Sequence, residues 1–105
     1  MDISEIKKIS DRSHDIALAK QNALEKARSQ LLVAHDGHLF LANPETINLV
    51  RTLSELHSRP FCILDTNNNP AQITNPEKFL ETLVMKNQEA LNSYYQAYQQ
   101  FSKIR

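Results

Sequence analysis

Two histidines near the middle of the chain are the first candidates for chemistry. His35 and His38 flank Asp36 and Gly37, and two imidazoles could begin a zinc site. However, His-x-x-His across a glycine turn is not a spacing that a well-defined zinc site requires. The pattern instead predicts one histidine against the last carbonyls of a helix and the other at the start of a strand. We therefore expect no metal and no other cofactor.

Cys62 is the only cysteine of the 105 residues. A cysteine acts as a nucleophile only as a thiolate, which needs an electropositive and partly exposed setting. Its neighbours Phe61, Ile63 and Leu64 are apolar, so we expect the thiol to be buried. A single unpaired cysteine also fits a reducing compartment.

No other constellation of residues points to catalysis. His14 and His57 each stand alone on a polar stretch. The acidic residues Glu55, Glu77 and Glu81 suit helix starts and solvated helix faces. One glycine in the whole chain excludes a glycine-rich phosphate loop. We expect that this protein is not an enzyme.

Composition excludes two classes of partner. Twelve acidic and twelve basic residues cancel, without the cationic patch that nucleic-acid binding requires. No apolar run reaches the 18 residues of a membrane span, and the charged, amphipathic N-terminus is not typical of a signal peptide. We expect one soluble intracellular domain, residues 1–105, that binds neither nucleic acid nor membrane.

Two long helices are predicted at the ends of the chain. Residues 4–35 contain no proline or glycine, and Gly37 follows where a helix end needs a left-handed residue. Residues 76–103 are likewise unbroken. Both stretches repeat near 3.5 residues, as in paired helices. The predicted seam of the first helix is Ile6, Ile9, Ser13, Ile16, Lys20, Leu24, Ala27, Leu31 and Ala34. That of the last helix is Val84, Asn87, Leu91, Tyr94, Tyr98 and Phe101.

Residues 36–75 are predicted to form the head of the molecule. Strand-like residues 38–42 precede a short helix, and an apolar strand at residues 61–65 precedes the turn of residues 66–70 and a strand ending at Thr74. We expect an α+β fold in the order α-β-α-β-β-α. It has one antiparallel sheet of about three strands with one short helix, and the two long helices pair antiparallel as a stalk.

One junction between strand and helix occurs twice. Asn-Pro-Glu begins at Asn43 and again at Asn75, and it combines an N-cap residue, a proline at the first helical position and an acid in the first turn. A shared ancestry of the two segments and convergent use of the same cap both explain the similarity.

The far end of the predicted stalk is rich in aromatic and aliphatic residues. An antiparallel pairing would bring the isoleucines near the N-terminus opposite the aromatic residues near the C-terminus. These aromatic residues either cover the isoleucines or remain available to a partner chain, since tyrosine is favoured at protein interfaces. The residues expected to bind a partner are Tyr94, Tyr95, Tyr98, Phe101, Ile3 and Ile6.

The order of elements carries a resemblance to a known family. The first set of similar residues surrounds the start of the short helix: Gly37, Phe40, Ala42, Asn43 and Thr46. The second set surrounds the predicted hairpin: Asp65, Asn67, Asn68, Asn69, Ile73, Thr74 and Phe79. From about Gly37 to Arg105, the chain resembles a small bacteriophage domain of unknown function, found in tail-fibre proteins and in tail-fibre assembly chaperones.

The resemblance implies a non-catalytic protein that binds the distal part of a trimeric tail fibre and aids its folding or attachment. It implies a location in the host cytoplasm during assembly, with retention in the virion tail as an option. No fibre-like segment precedes the domain, which favours a separate chaperone or adaptor. The contact surface stays unassigned, and self-association stays open. The alternative is a helical adaptor or inhibitor that binds a host protein.

Overall fold

The computed structural model describes the backbone of residues 3–56 and 60–103 and the side chains of residues 11–56 and 60–101. Within these residues the chain forms three helices and two antiparallel hairpins, which confirms the predicted α+β class. The elements are α1 (Ile3–Ser29), β1 (Leu32–His35), β2 (His38–Leu41), α2 (Pro44–Leu56), β3 (Phe61–Leu64), β4 (Pro70–Ile73) and α3 (Pro76–Lys103).

The first hairpin occupies the end of the predicted first helix. α1 ends at Ser29 rather than near residue 35, and β1 pairs with β2 so that His35 lies opposite His38. Asp36 and Gly37 have φ angles of 50° and 79°, the left-handed backbone that a two-residue type I′ turn requires. The interpretation of Gly37 as a helix cap was therefore wrong, because Asp-Gly between apolar residues is itself a hairpin signal.

The strands form two separate hairpins instead of one sheet of about three strands. The order of elements is therefore α-β-β-α-β-β-α. The second hairpin was predicted, and it is confirmed with Phe61 opposite Ile73 and Leu64 opposite Pro70. Backbone contact between the hairpins is limited to the N–H of Thr66, which donates to the carbonyl of Leu39 at 2.9 Å.

The second hairpin is covered on one face only. Phe61 and Ile63 are buried, whereas Cys62 and Leu64 between and after them are exposed. Because side chains alternate across a strand, a strand with one covered face buries every second residue. The prediction of a buried Cys62 was wrong, since four consecutive apolar residues had suggested cover on both faces.

The core lies between the two hairpins and the first half of α3. Its largest fully buried side chains come from four elements: Phe40, Val50, Ile73, Phe79 and Leu83. The rings of Phe40 and Phe79 meet edge to face with 5.0 Å between their centroids, an arrangement that aromatic pairs prefer. α3 thus joins both hairpins and α2 into one core.

The two Asn-Pro-Glu junctions cap α2 and α3 as predicted. The Asn43 side-chain oxygen accepts from the N–H of Thr46 at 2.9 Å, and that of Asn75 accepts from the N–H of Lys78 at 3.3 Å. The packing around the two caps differs, however. Residue 41, two before the first cap, is exposed, whereas Ile73, two before the second, is fully buried. The similarity is therefore one of capping and not of core packing.

α1 and α3 pack together along a seam of mainly small residues. The α1 residues withdrawn from solvent are Ile16, Ala19, Ala23, Leu24 and Ala27. Ser13 and Lys20, which the predicted seam included, are exposed, and Ala34 lies on β1. The distance between packed helices depends on the side chains at the contact, and alanine at three of these positions favours a close approach.

The two long helices run antiparallel, as predicted. Ser29 at the end of α1 lines the same cleft as Glu89 and Ser93 in the middle of α3. Burial on α3 continues beyond that point as far as Phe101. An α1 that runs back along α3 covers these later residues, whereas a parallel α1 would lie beside the head.

α1 extends past the described end of α3. From Glu89, α3 continues for about 14 residues to Lys103, whereas α1 continues back from Ser29 for about 26 residues. The difference, residues 3–14, is about 18 Å of helix and is called here the α1 overhang. It accounts for the dimensions of 68 × 24 × 20 Å, since either long helix alone spans only about 40 Å.

Candidate interaction surfaces

α3 carries two adjacent stripes of residues, each with alternating steps of three and four. The inner stripe faces the core and α1, and it consists of Leu83, Asn87, Ala90, Tyr94, Ala97 and Phe101. The outer stripe is displaced by one residue and is exposed, and it consists of Val84, Gln88, Leu91, Tyr95 and Tyr98. The predicted seam mixed the two: its Val84, Leu91 and Tyr98 do not face α1.

At two neighbouring pairs, 90–91 and 97–98, the outer stripe has a much larger side chain than the inner one. Ala90 is buried at 1% exposure while its neighbour Leu91 is 49% exposed. Likewise Ala97 is half-buried and Tyr98 is exposed. Hydrophobic stabilisation grows with the apolar area removed from water, so at these two pairs the residue with more to gain from burial faces solvent. A helix with apolar residues on two faces is typical of one that contacts two neighbours.

On α3, the surroundings of the outer stripe are uncharged except at its N-terminal end, where the exposed Glu81 lies three residues before Val84. The residues that border it on the side away from α1 are Met85, Asn92 and Gln99. Lys86 and Glu89 lie elsewhere on the helix and pair with each other at 3.8 Å. A surface of leucine, valine and tyrosine with neutral polar borders has the composition of the centre of a protein interface.

The predicted partner-binding residues are divided by this arrangement. Tyr94 and Phe101 lie half-buried on the inner stripe, whereas Tyr95 and Tyr98 lie exposed on the outer stripe. The side chains of Ile3 and Ile6 lie outside the described residues. The sequence signal for two stripes exists in the neighbouring pairs at residues 83–84, 90–91, 94–95 and 97–98, which supply one residue to each stripe.

A histidine–aspartate bond joins the two hairpins. The Nδ1 atom of His38, which begins β2 as predicted, lies 2.7 Å from Oδ2 of Asp65. The Asp65 side chain is 3% exposed and that of His38 is 31% exposed. The other Asp65 oxygen accepts from the N–H groups of Asn67 and Asn69 at 2.8 and 2.9 Å. One buried carboxylate therefore holds the second turn and ties it to the first hairpin.

These bonds stabilise the ionised form of Asp65. The hydrogen bond with His38, followed by those from the N–H groups of Asn69 and Asn67, lowers the pKa of Asp65 below its ordinary value of 3.8, although burial opposes the shift. Sequence reasoning gave no signal for this pair, because 27 residues separate the partners.

The His38–Asp65 pair has the form of two of the three members of a catalytic triad. In a triad, a carboxylate orients a histidine that accepts a proton from a hydroxyl or thiol. Among the described side chains, no hydroxyl or thiol is hydrogen-bonded to His38. The carboxylate is already used by two turn amides. The arrangement therefore matches a structural tie.

His35 is placed differently from the prediction. It ends β1 and lies with its ring centroid 4.7 Å from that of Phe79, instead of against the last carbonyls of α1. Its Nε2 atom is buried without a hydrogen bond and lies 3.5 Å from Oδ2 of Asp36. Within the described parts of the chain, no three histidine, cysteine or acidic side chains converge as a metal site.

Two open clefts accompany these surfaces. One, of about 390 Å³, lies where α1 meets β1 and α3. The other, of about 160 Å³, lies between the hairpins beside Leu41, Asn43, Leu64 and Asp65. Neither gathers the convergent polar groups around an apolar pocket that are typical of a small-molecule site.

None of the described helices is long and apolar enough to cross a membrane. No protein-family model matches the chain, and no match is found among curated proteins or among solved structures.

Proposed function

We propose that this protein acts without catalysis by binding another protein chain, and that this partner is the distal part of a trimeric bacteriophage tail fibre, whose assembly it assists as a chaperone or fibre-associated component. The α1 overhang carries the general proposal. The likeness of the element order from Gly37 onward to the phage domain supports the specific partner.

The α1 overhang runs beyond the described part of α3. About 12 residues run beyond Lys103 of α3, and helices of that length gain most of their stability from packing against other elements. The sequence of this segment places isoleucine at residues 3, 6 and 9, a helical spacing. A partner that packs beside the overhang could bury the apolar area of these isoleucines.

Co-expression with the tail-fibre gene of the same phage tests the proposal. We expect the fibre to be recovered as a soluble trimer in larger yield with this chain than without it, and to co-purify with it. Ile3→Asp with Ile6→Asp should abolish both effects. Gln21→Asp with Asn22→Asp provides the matched control, since it adds the same two charges at exposed positions on the paired part of α1.

Equal fibre yields with and without the chain, together with no co-purification, would contradict the proposal. Recovery of a stoichiometric host protein in the absence of any fibre would identify the chain as a host-directed adaptor or inhibitor instead.

A further inference from the structure

We infer that two copies of this chain associate through the outer stripe of α3, with the two α3 helices antiparallel and Leu91 on the two-fold axis. The inference goes beyond the proposed function, because it concerns the chain alone and a surface distinct from the α1 overhang.

The inversion of side-chain size at two neighbouring pairs is the first argument. α3 turns Ala90 and Ala97 inward and leaves Leu91 and Tyr98 exposed. Rotating α3 by one residue would bury the larger pair in the monomer. An outward orientation of the larger pair is favourable when another helix covers it. The residues of the outer stripe are spaced by three and four, as in the seam between two paired helices.

The outer stripe is complementary to itself in the antiparallel direction. With Leu91 opposite Leu91 of the second copy, Val84 faces Tyr98, and Gln88 lies within one residue of the level of Tyr95. A small aliphatic residue thus meets a large aromatic one. The Gln88 Nε2 already donates to Asn87 Oδ1 at 3.0 Å, so the Gln88 carbonyl oxygen can accept from the Tyr95 hydroxyl of the second copy.

Charge selects a second copy over a charged partner. Any like charges that bordered the stripe would face each other in a two-fold pair and oppose it. The bordering residues Met85, Asn92 and Gln99 are neutral, and the Glu81 residues of the two copies would lie about 30 Å apart in the antiparallel pair, so self-association meets no such repulsion. Along this surface of α3, a strongly charged partner would find only Glu81 to pair with.

The position of Leu91 along the molecule also fits. Measured along the rod, α1 begins about 39 Å from Ser29. Ser29 is at the height of Glu89, and Leu91 lies about 3 Å from Glu89 in the direction of the start of α1. Leu91 is therefore about 36 Å from the start of α1, close to half of the 68 Å length. An antiparallel pair centred there overlaps along nearly its whole length.

The size of the contact sets the expected strength. The stripe from Val84 to Tyr98 extends for about 21 Å, and one helix pair of that length lies at the low end of specific interfaces. We expect a dissociation constant in the micromolar range. Light scattering after size exclusion should show a dimer at high concentration, and Leu91→Asp should weaken association by at least about 100-fold without loss of helical signal.

Single-cysteine cross-linking tests the geometry. In a Cys62→Ser background, Leu91→Cys should form a disulfide-linked dimer under mild oxidation, because the two residues meet on the axis. Val84→Cys and Tyr98→Cys should each cross-link poorly alone and readily when mixed. Leu18→Cys is the matched control, since Leu18 is equally exposed but lies on α1.

Two results would overturn the inference. One is a wild-type chain that stays monomeric up to about 1 mM. The other is efficient cross-linking of Val84→Cys and Tyr98→Cys each with itself, which indicates parallel helices. Both are measured on the purified chain without fibre, so they leave the proposed function untouched, and a failure of fibre binding leaves the dimer untouched.

Discussion

Individual polar residues tie the elements of this protein together. Asn87 lies in the inner stripe of α3 among apolar neighbours, and its Nδ2 donates to the carbonyl of Ala42 at 2.9 Å. Ala42 is fully buried, so its carbonyl has no water to replace a lost donor. Asn87 therefore links α3 to the start of α2. The sequence pattern had placed this polar residue inside the stalk seam.

Asn87→Ala should lower the free energy of unfolding by about 1–3 kcal/mol, the cost of an unsatisfied buried carbonyl. Asn92→Ala is the control, because it makes the same change at an exposed position of α3. Urea unfolding followed by circular dichroism measures both. Equal stability of the two variants would show that the hydrogen bond to Ala42 contributes nothing.

Asp65 should make the stability of the folded protein depend on pH in the acidic range. Its pKa is lowered in the folded state, so its stabilisation is fully present above the pKa of the unfolded chain, about 3.9. This stabilisation is lost as the pH falls through the pKa of Asp65 in the folded state. Asp65→Asn should therefore reduce the melting temperature at neutral pH and flatten its fall below about pH 4.

Melting curves between neutral pH and about pH 2 measure this effect. Asp36→Asn is the matched control, because Asp36 is an exposed turn residue that contacts only His35 among the described side chains. An Asp65→Asn variant with the acid dependence of the wild type would contradict a role for this carboxylate.

At the scale of the elements, the turns decide the topology. Gly37 has a φ angle of 79°, and a Cβ atom added there would meet nothing within 4 Å. Gly37→Ala should therefore cost about 1–2 kcal/mol from backbone strain alone. Asn68→Gly, at a φ angle of 63°, should be neutral or slightly stabilising. Thermal unfolding of both variants distinguishes strain from packing, since equal losses would point to packing.

The two stripes of α3 should respond oppositely to substitution. Ala90→Leu places three extra carbons in the close α1–α3 contact and should cost about 1–3 kcal/mol. Leu91→Ala, one residue away, should leave the free energy of unfolding of the monomer nearly unchanged and should weaken self-association. Denaturation at low protein concentration, below the dimer range, separates the two effects. A larger loss from Leu91→Ala would place the seam on the outer stripe.

At the scale of the whole molecule, the structure is a rod. The radius of gyration is 19.6 Å, whereas a compact domain of about 100 residues has roughly 13 Å. Small-angle scattering of the Leu91→Asp monomer should therefore give a maximum dimension near 68 Å. The wild-type dimer should be thicker but little longer, because its copies overlap. A dimer about twice as long would indicate association through the stalk tips.

The sequence by itself determined the fold class and the starts of α2 and α3, but not the end of α1. Asn43 and Asn75 were predicted as caps and are caps, because a helix N-terminus needs a side-chain acceptor in its first turn. The α+β class, the second hairpin and two long antiparallel helices followed in the same way from patterns that extend over a few turns.

Only the tertiary structure decided which face of each element is inside. Cys62 is exposed because only one face of its hairpin has cover, and Leu91 is exposed because Ala90 faces inward in its place. The apolar pattern does not show which of two neighbouring apolar residues faces the core, because either orientation of the strand or helix would bury an apolar side chain. The pairing of His38 with Asp65 likewise depends on how the two hairpins meet, which no local preference encodes.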